Sequence, residues 1–281
     1  MTTNTLCLVA IFKNESHILK EWIEHYLHQG VEKFYLIDNG STDEYIDILQ
    51  PYIRDNRVKL IIDPQKHQQT GHMNKYFLKE VQPYEWVLVC DLDEFVYSRK
   101  GFSTITDYLS TLFPKVSMVY IPWKIFGSNG LKFQPDNVVQ SFTRRIYYDK
   151  ENGFQGVIME QDQKYSFTKC ITRTRFLKKF GIHYDETDED TQHITTEVPQ
   201  PMVSSIHNNK AFAKIDESIL ENSCLHLNHY AIQSLDWFKR VKIPRGDAEH
   251  TKNVRTVDYF NQFDECSNDL EDHELANINA F

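Results

Sequence analysis

Cationic excess, cysteine pairs and long apolar runs are all missing from this 281-residue chain. Lys and Arg number 31 against 40 Asp and Glu, a formal charge of -9. That balance offers no general attraction to a polyanion, so nucleic acid is not an expected partner. Only five cysteines occur (Cys7, Cys90, Cys170, Cys224, Cys266), far apart and without a CxxC pair. This spacing argues against both a zinc knuckle and a disulfide framework, and a reducing compartment is the simpler reading. The start of the chain has no charged leader, and its apolar part, Leu6 to Phe12, is much shorter than the roughly 20 residues that cross a bilayer. A cytoplasmic protein without a transmembrane segment is expected. Internal repeats and low-complexity tracts are absent as well.

What is present is a globular composition, 41% hydrophobic with 13% aromatic residues, enough to fill a substantial core. "LCLVAIF" (6–12) is a continuous apolar run, as a strand covered on both faces requires. In the next segment Ile18, Leu19, Trp22, Ile23, Tyr26 and Leu27 recur at helical spacing, with Asn14 or Ser16 to cap the start and Gly30 to end it. The alternation repeats through strands at "KFYLID", "VKLIID" and "EWVLVCD", with helices at "STDEYIDILQPYI" and "GHMNKYFLKEVQPY" between them. Strand–helix alternation over residues 5–91 predicts βαβ units and a parallel sheet, whose ligands sit at the carboxyl ends of the strands. Beyond residue 100 the alternation fades. "VSMVYIPWKIFG", "VVQSFTRRIYY" and "YSFTKCITRTRF" read as antiparallel or mixed strands, "HYDETDEDTQHITTE" (183–197) as an acidic loop, and "SLDWFKRVKI" as a helix.

The fourth strand ends in three acids within four positions, Asp91, Asp93 and Glu94. A buried strand keeps such charges only where they emerge at its end or meet a cation. Two aspartates one residue apart suit a divalent cation that keeps other oxygen ligands, Mn2+ or Mg2+ bridged to a diphosphate, with Glu94 orienting them. The same four residues would also serve as a capped turn.

The ordered set "VAIFKNESHILKEWIEHYLHQGVEKFYLIDNGSTDE", "WVLVCDLDEFVY", "WKIFGSNG", "KCITRTRF" and "LNHYAIQSLDWFKRVKIPRGDA" resembles the glycosyltransferase family 2-like and family 92-like enzymes of the GT-A fold. The resemblance implies an α/β architecture: a Rossmann-like, mostly parallel central sheet with flanking helices and an antiparallel or mixed acceptor-side extension. It implies one GT-A domain over 1–250, with a nucleotide-binding half at about 1–100 and an acceptor-binding half at about 101–250, followed by an acidic tail over 251–281. It further implies a metal-dependent transfer, inverting by analogy, from a nucleoside-diphosphate sugar such as a UDP-sugar to a hydroxyl of a glycan or related acceptor, in polysaccharide biosynthesis. Asp91 and Asp93 form its DxD motif. Asp38, with Asn39 beside it, is expected at the uracil or ribose, and Lys13, Asn14 and Glu15 along the same pocket. His229 of "NHY" is the expected third metal ligand, with His183 the alternative and His207 a further histidine in a suggestive context.

Several other roles follow from chemistry. An inverting transfer needs a base, for which Asp185 and Glu186 of the acidic segment are the nominated pair. Lys242 and Arg245 could clamp phosphates or simply complement a helix C-terminus. Trp123 offers an aromatic face to an acceptor sugar, or belongs to the core. Two competing readings remain: a haloacid-dehalogenase-like phosphatase, because "VLVCDLDEF" also looks like its DxD strand end, and a nucleotide-sugar-binding module without turnover. Phe95 opposes the phosphatase, which wants a small residue there.

Overall fold

The computed structural model describes residues 5–150, 156–197, 205–246 and 254–279. The expected boundary at 250–251 lies outside them. The N-terminal alternation forms as expected: β1 (Leu6–Phe12), α1 (Ser16–His28), β2 (Val31–Asp38), α2 (Tyr45–Arg54), β3 (Val58–Ile62), α3 (Gln69–Phe77) and β4 (Trp86–Val89). These strands lie parallel in the order β3-β2-β1-β4. Alternation along β1 divides the core. Leu6, Leu8, Ala10 and Phe12 join a cluster with Trp22 and Tyr26 of α1, while Cys7 and Val9 join another with Met73 and Phe77 of α3. Both faces of the strand are covered, which is why its sequence is apolar throughout.

Past β4 the sheet becomes mixed. The Gln163–Arg173 strand runs antiparallel between β4 and β6 (Val116–Ile125), and the Leu225–His229 strand lies parallel to β6 and antiparallel to β5 (Glu94–Ser98). This is the α/β architecture that the resemblance implied, a parallel half continued by a mixed one. Among the described residues no helix is long and apolar enough to cross a membrane.

Two local expectations change. Neither Asn14 nor Ser16 caps α1 with its side chain; the Ser16 N–H is taken instead by Asp43 at 2.8 Å. The stretch expected to be a strand from Val138 opens as a short helix, Val138–Ser141, because the Glu21 carboxylate accepts the N–H groups of both Val138 and Val139. The acidic C-terminal stretch, where it is described, is helical and packs on the domain. Helix Val257–Cys266 buries Phe260 and Phe263, and Leu275 joins the main core. Its acids are drawn in as counter-charges: Asp272 lies 2.9 Å from Lys124, which is 1% exposed, and 2.8 Å from Arg145. A buried lysine demands such partners.

Candidate active site

The chain leaves β4 through a turn, residues 91–94, that α1 and the end of the Leu225–His229 strand fix in place. The indole N–H of Trp22, on α1, reaches the carbonyls of Asp91 and Glu94, each at 3.1 Å. Tyr26 donates to the Glu94 carbonyl at 3.1 Å, and the Tyr230 N–H donates to the Asp93 carbonyl at 2.8 Å. Glu94 pairs with His229 across the β5 ladder. That register sets the imidazole beside Asp93, with Nε2 3.7 Å from the carboxylate.

The three acids sit in different environments. Glu94 is fully buried, and desolvation, against the opposing pull of Lys169, pushes its pKa up to about 8. Its Oε2 accepts the Asp91 N–H at 2.9 Å and lies 3.4 Å from Lys169 Nζ. Asp91 and Asp93 are also raised by burial, but neighbouring cations outweigh that cost and hold both below the usual carboxylate range. For Asp91 the cation is Lys169, whose Nζ donates at 2.8 Å; Gln69 adds a bond at 3.2 Å. For Asp93 it is Lys242, in direct contact, with His229 and Arg245 contributing. The sequence therefore ends a core strand in one acid whose burial favours the proton and two whose cationic partners favour the charge.

Lys242 reaches this position from the segment Leu235–Arg245, whose middle turn, Phe238–Lys242, is a π-helix. Such turns shift the side chains that follow them and are frequent at functional sites. Arg245, one turn on, binds Glu15 at 2.8 Å and ties this helix to the loop after β1.

These groups surround one cavity of about 370 Å3. Of the residues expected at the site, it gathers Lys13, Glu15, Asn39, Asp91, Asp93, Trp123, His183, His229, Lys242 and Arg245. Trp123 lies on the wall with its ring centroid 4.1 Å from that of His229. Asp38 is not on the wall. Its two oxygens are taken by the Ser41 N–H at 2.7 Å and the Tyr45 hydroxyl at 3.0 Å, closing the turn after β2, while Asn39 carries that strand end to the cavity. The nominated bases also lie elsewhere. Asp185 is 3% exposed and accepts from Thr172 and Gly181 at 2.6 and 2.9 Å, and with Glu186 it borders a separate depression. His207 contacts Glu160 and Tyr165, away from the cavity.

Sequence reasoning missed Lys66, Gln69 and Arg255 on the wall, and Lys169 behind it. Lys169 had a readable signal: a lysine in the middle of the strand "YSFTKCITR" has to meet an acid. Five cations line the cavity, Lys13, Lys66, Lys242, Arg245 and Arg255, against the carboxylates Glu15, Asp91 and Asp93. The wall therefore suits an anion.

Comparison with known proteins gives the family. A sequence profile of glycosyltransferase family 92 matches residues 3–265, and the chain belongs to that family. Membership sets aside the phosphatase-like reading of the DxD strand end, and the parallel half with its mixed extension is the GT-A architecture expected of the chain. A family 92 protein of Oryza sativa subsp. japonica is 26% identical over 148 residues, 51% of this chain and 25% of the rice protein. One of Ricinus communis is 26% identical over 147 residues, 50% of this chain and 26% of its own. The matched region thus spans about a quarter of each plant protein. Among solved structures, S. aureus TarS 1–349 in complex with UDP-GlcNAc aligns with a TM-score of 0.40 at 15% identity, over 70% of this chain and 60% of that one. The same protein in complex with UDP gives 0.38 at 16%, over 69% and 61%.

Proposed function

We propose that the chain transfers a sugar from a nucleoside-diphosphate sugar, with UDP as the carrier, to a hydroxyl of a glycan or glycoconjugate acceptor, inverting the anomeric centre. The observation that carries this reading is the pair Asp91 and Asp93 at the carboxyl end of β4, facing a cavity ringed by Lys13, Lys66, Lys242, Arg245 and Arg255. A diphosphate is a ligand that suits both features: cations for its own charge, and carboxylates that would hold a divalent cation accompanying it.

The residues fit Mn2+ or Mg2+. Among the described residues no three His, Cys, Asp or Glu side chains form a closed metal cage. Cations of this kind are held in nucleotide sites by one or two carboxylates together with substrate phosphates. Asp93 and Asp91 would hold the ion, and His229, kept neutral because burial lowers its pKa to about 4, offers a nitrogen lone pair. The cation would neutralise charge on the diphosphate as it leaves. Lys242 and Arg245 would then meet the phosphate oxygens, Asn39 and Lys13 the nucleoside side of the pocket, and Trp123 the acceptor. All five cysteines are unpaired, which supports a cytoplasmic setting, with surface polysaccharide assembly as the process.

The test is UDP release from a panel of UDP-hexoses with and without Mn2+. At least one donor should be consumed in a Mn2+-dependent way, faster when a suitable glycan is added. A folded protein that releases no UDP from any donor, with metal present, would leave only the role of a binding module.

A further inference from the structure

The carboxylates that line the cavity are all engaged by cations: Glu15 by Arg245, Asp91 by Lys169 and Asp93 by Lys242. His183 differs. Its Nδ1 lies 3.1 Å from the Thr168 carbonyl. A carbonyl oxygen can only accept, so Nδ1 carries the hydrogen and Nε2 holds the lone pair. The ring stacks on Phe167 (centroids 4.4 Å apart, planes at 26°) and sits edge-on to Trp123 at 5.4 Å, which fixes its direction within the cavity wall.

The backbone at this position is anchored with equal care. The His183 carbonyl accepts from Thr168 Oγ1 and Cys170 Sγ, each at 3.1 Å. Asp185 closes the loop by accepting from Gly181 and Thr172. Gly181 has no substitute here, since a Cβ would lie 1.9 Å from the Tyr184 carbonyl oxygen. Asp185 and Gly181 are therefore positioning residues for His183, which gives the buried aspartate a role other than that of the base itself.

We propose that His183 is the general base of the transfer, taking the proton of the acceptor hydroxyl at Nε2. This rests on the inverting, nucleotide-sugar reading given above. As the acceptor oxygen bonds to the anomeric carbon through one of its electron pairs, its proton moves to the Nε2 lone pair. The bond from the anomeric carbon to the β-phosphate oxygen breaks, with its electron pair leaving on the nucleoside diphosphate. The imidazolium then gives the proton to water, so that donor and acceptor alcohol yield glycoside, nucleoside diphosphate and one proton. Lys169 and Asp91 are the charged groups that act on the ring. With burial, Lys169 keeps it neutral before the donor arrives, and an incoming diphosphate adds negative charge that favours the protonated form.

The experiment uses the full chain with His183→Gln and His183→Ala, UDP as the binding probe and UDP-hexose hydrolysis in Mn2+, with water as the acceptor. Both variants should bind UDP within about threefold of wild type and lose about 10²–10⁴-fold in UDP release, the range for a positioned general base. Added imidazole should restore at least tenfold of the loss in His183→Ala, a rescue that a purely structural role would not show. Turnover within fivefold of wild type, or intact UDP binding without any imidazole rescue, would overturn the assignment. Loss of UDP binding in both variants would overturn it too, by placing His183 against the donor. A wild-type chain that neither binds UDP nor consumes a UDP-hexose would refute the nucleotide-sugar reading itself, and the base with it.

Discussion

Exchanging Asp93 for alanine is expected to lower UDP release from the productive donor about a thousandfold, the upper end of the scale for losing one electrostatic stabiliser of a developing anion, here the cation that Asp93 would hold. Stability should fall with it. Lys242 is 6% exposed and faces Asp93 directly, and stripping a buried charge of its partner costs about 3–5 kcal/mol. The two losses are separable. Adding Lys242→Met to Asp93→Ala replaces the stranded ammonium with an apolar chain of similar length, and should recover most of the stability in urea unfolding while leaving turnover lost. If the double variant regained turnover along with stability, Asp93 would be a packing residue only.

Acid should unfold this protein early. His25, His183, His226 and His229 are each held near a pKa of about 4, burial being the first cause in every case. In the unfolded chain each titrates near 6.5. Between those values the unfolded state binds protons that the native state refuses, so the stabilising contribution is present above about pH 6.5 and is lost as pH falls toward 4. Glu94, raised to about 8, and Asp185, raised to about 6, act with the opposite sign, because the native state holds protons the unfolded chain has released. Four histidines against two carboxyls leave a net of about two protons near pH 5.5, a slope of about 2–3 kcal/mol per pH unit. Urea midpoints measured from pH 7 to pH 4.5 should fall steeply below 6.5. A flat or rising profile in that window would contradict the buried, neutral histidines.

Much of the N-terminal architecture was legible because β1, β2 and β4 are covered on both faces and so read as largely apolar runs. Asp91 and Asp93 were legible for the same reason, as charges at the end of such a run. What escaped depends on pairing across long distances. Asp38 sits at the end of β2 just as Asp91 follows β4, yet Tyr45, only seven residues on, claims its carboxylate. No local pattern distinguishes an aspartate that closes its own turn from one that faces a ligand. The acidic stretch 264–275 had no assignable role, because Lys124 and Arg145, which draw Asp272 into the core, lie more than a hundred residues earlier. The Asp185–Glu186 pair failed as a base for a related reason: a run of acids carries no direction, and this loop turns its carboxylates away from the cavity and His183 toward it.

The central claim, that Asp91 and Asp93 join a cation to a nucleoside diphosphate, is tested most directly by calorimetric titration of UDP with and without Mn2+, into the wild type and an Asp91→Ala, Asp93→Ala variant verified as folded. Tight binding is predicted for the wild type with Mn2+, and at least a tenfold loss when either the metal or the two carboxylates are removed. Equal UDP affinity in all four titrations would contradict the account.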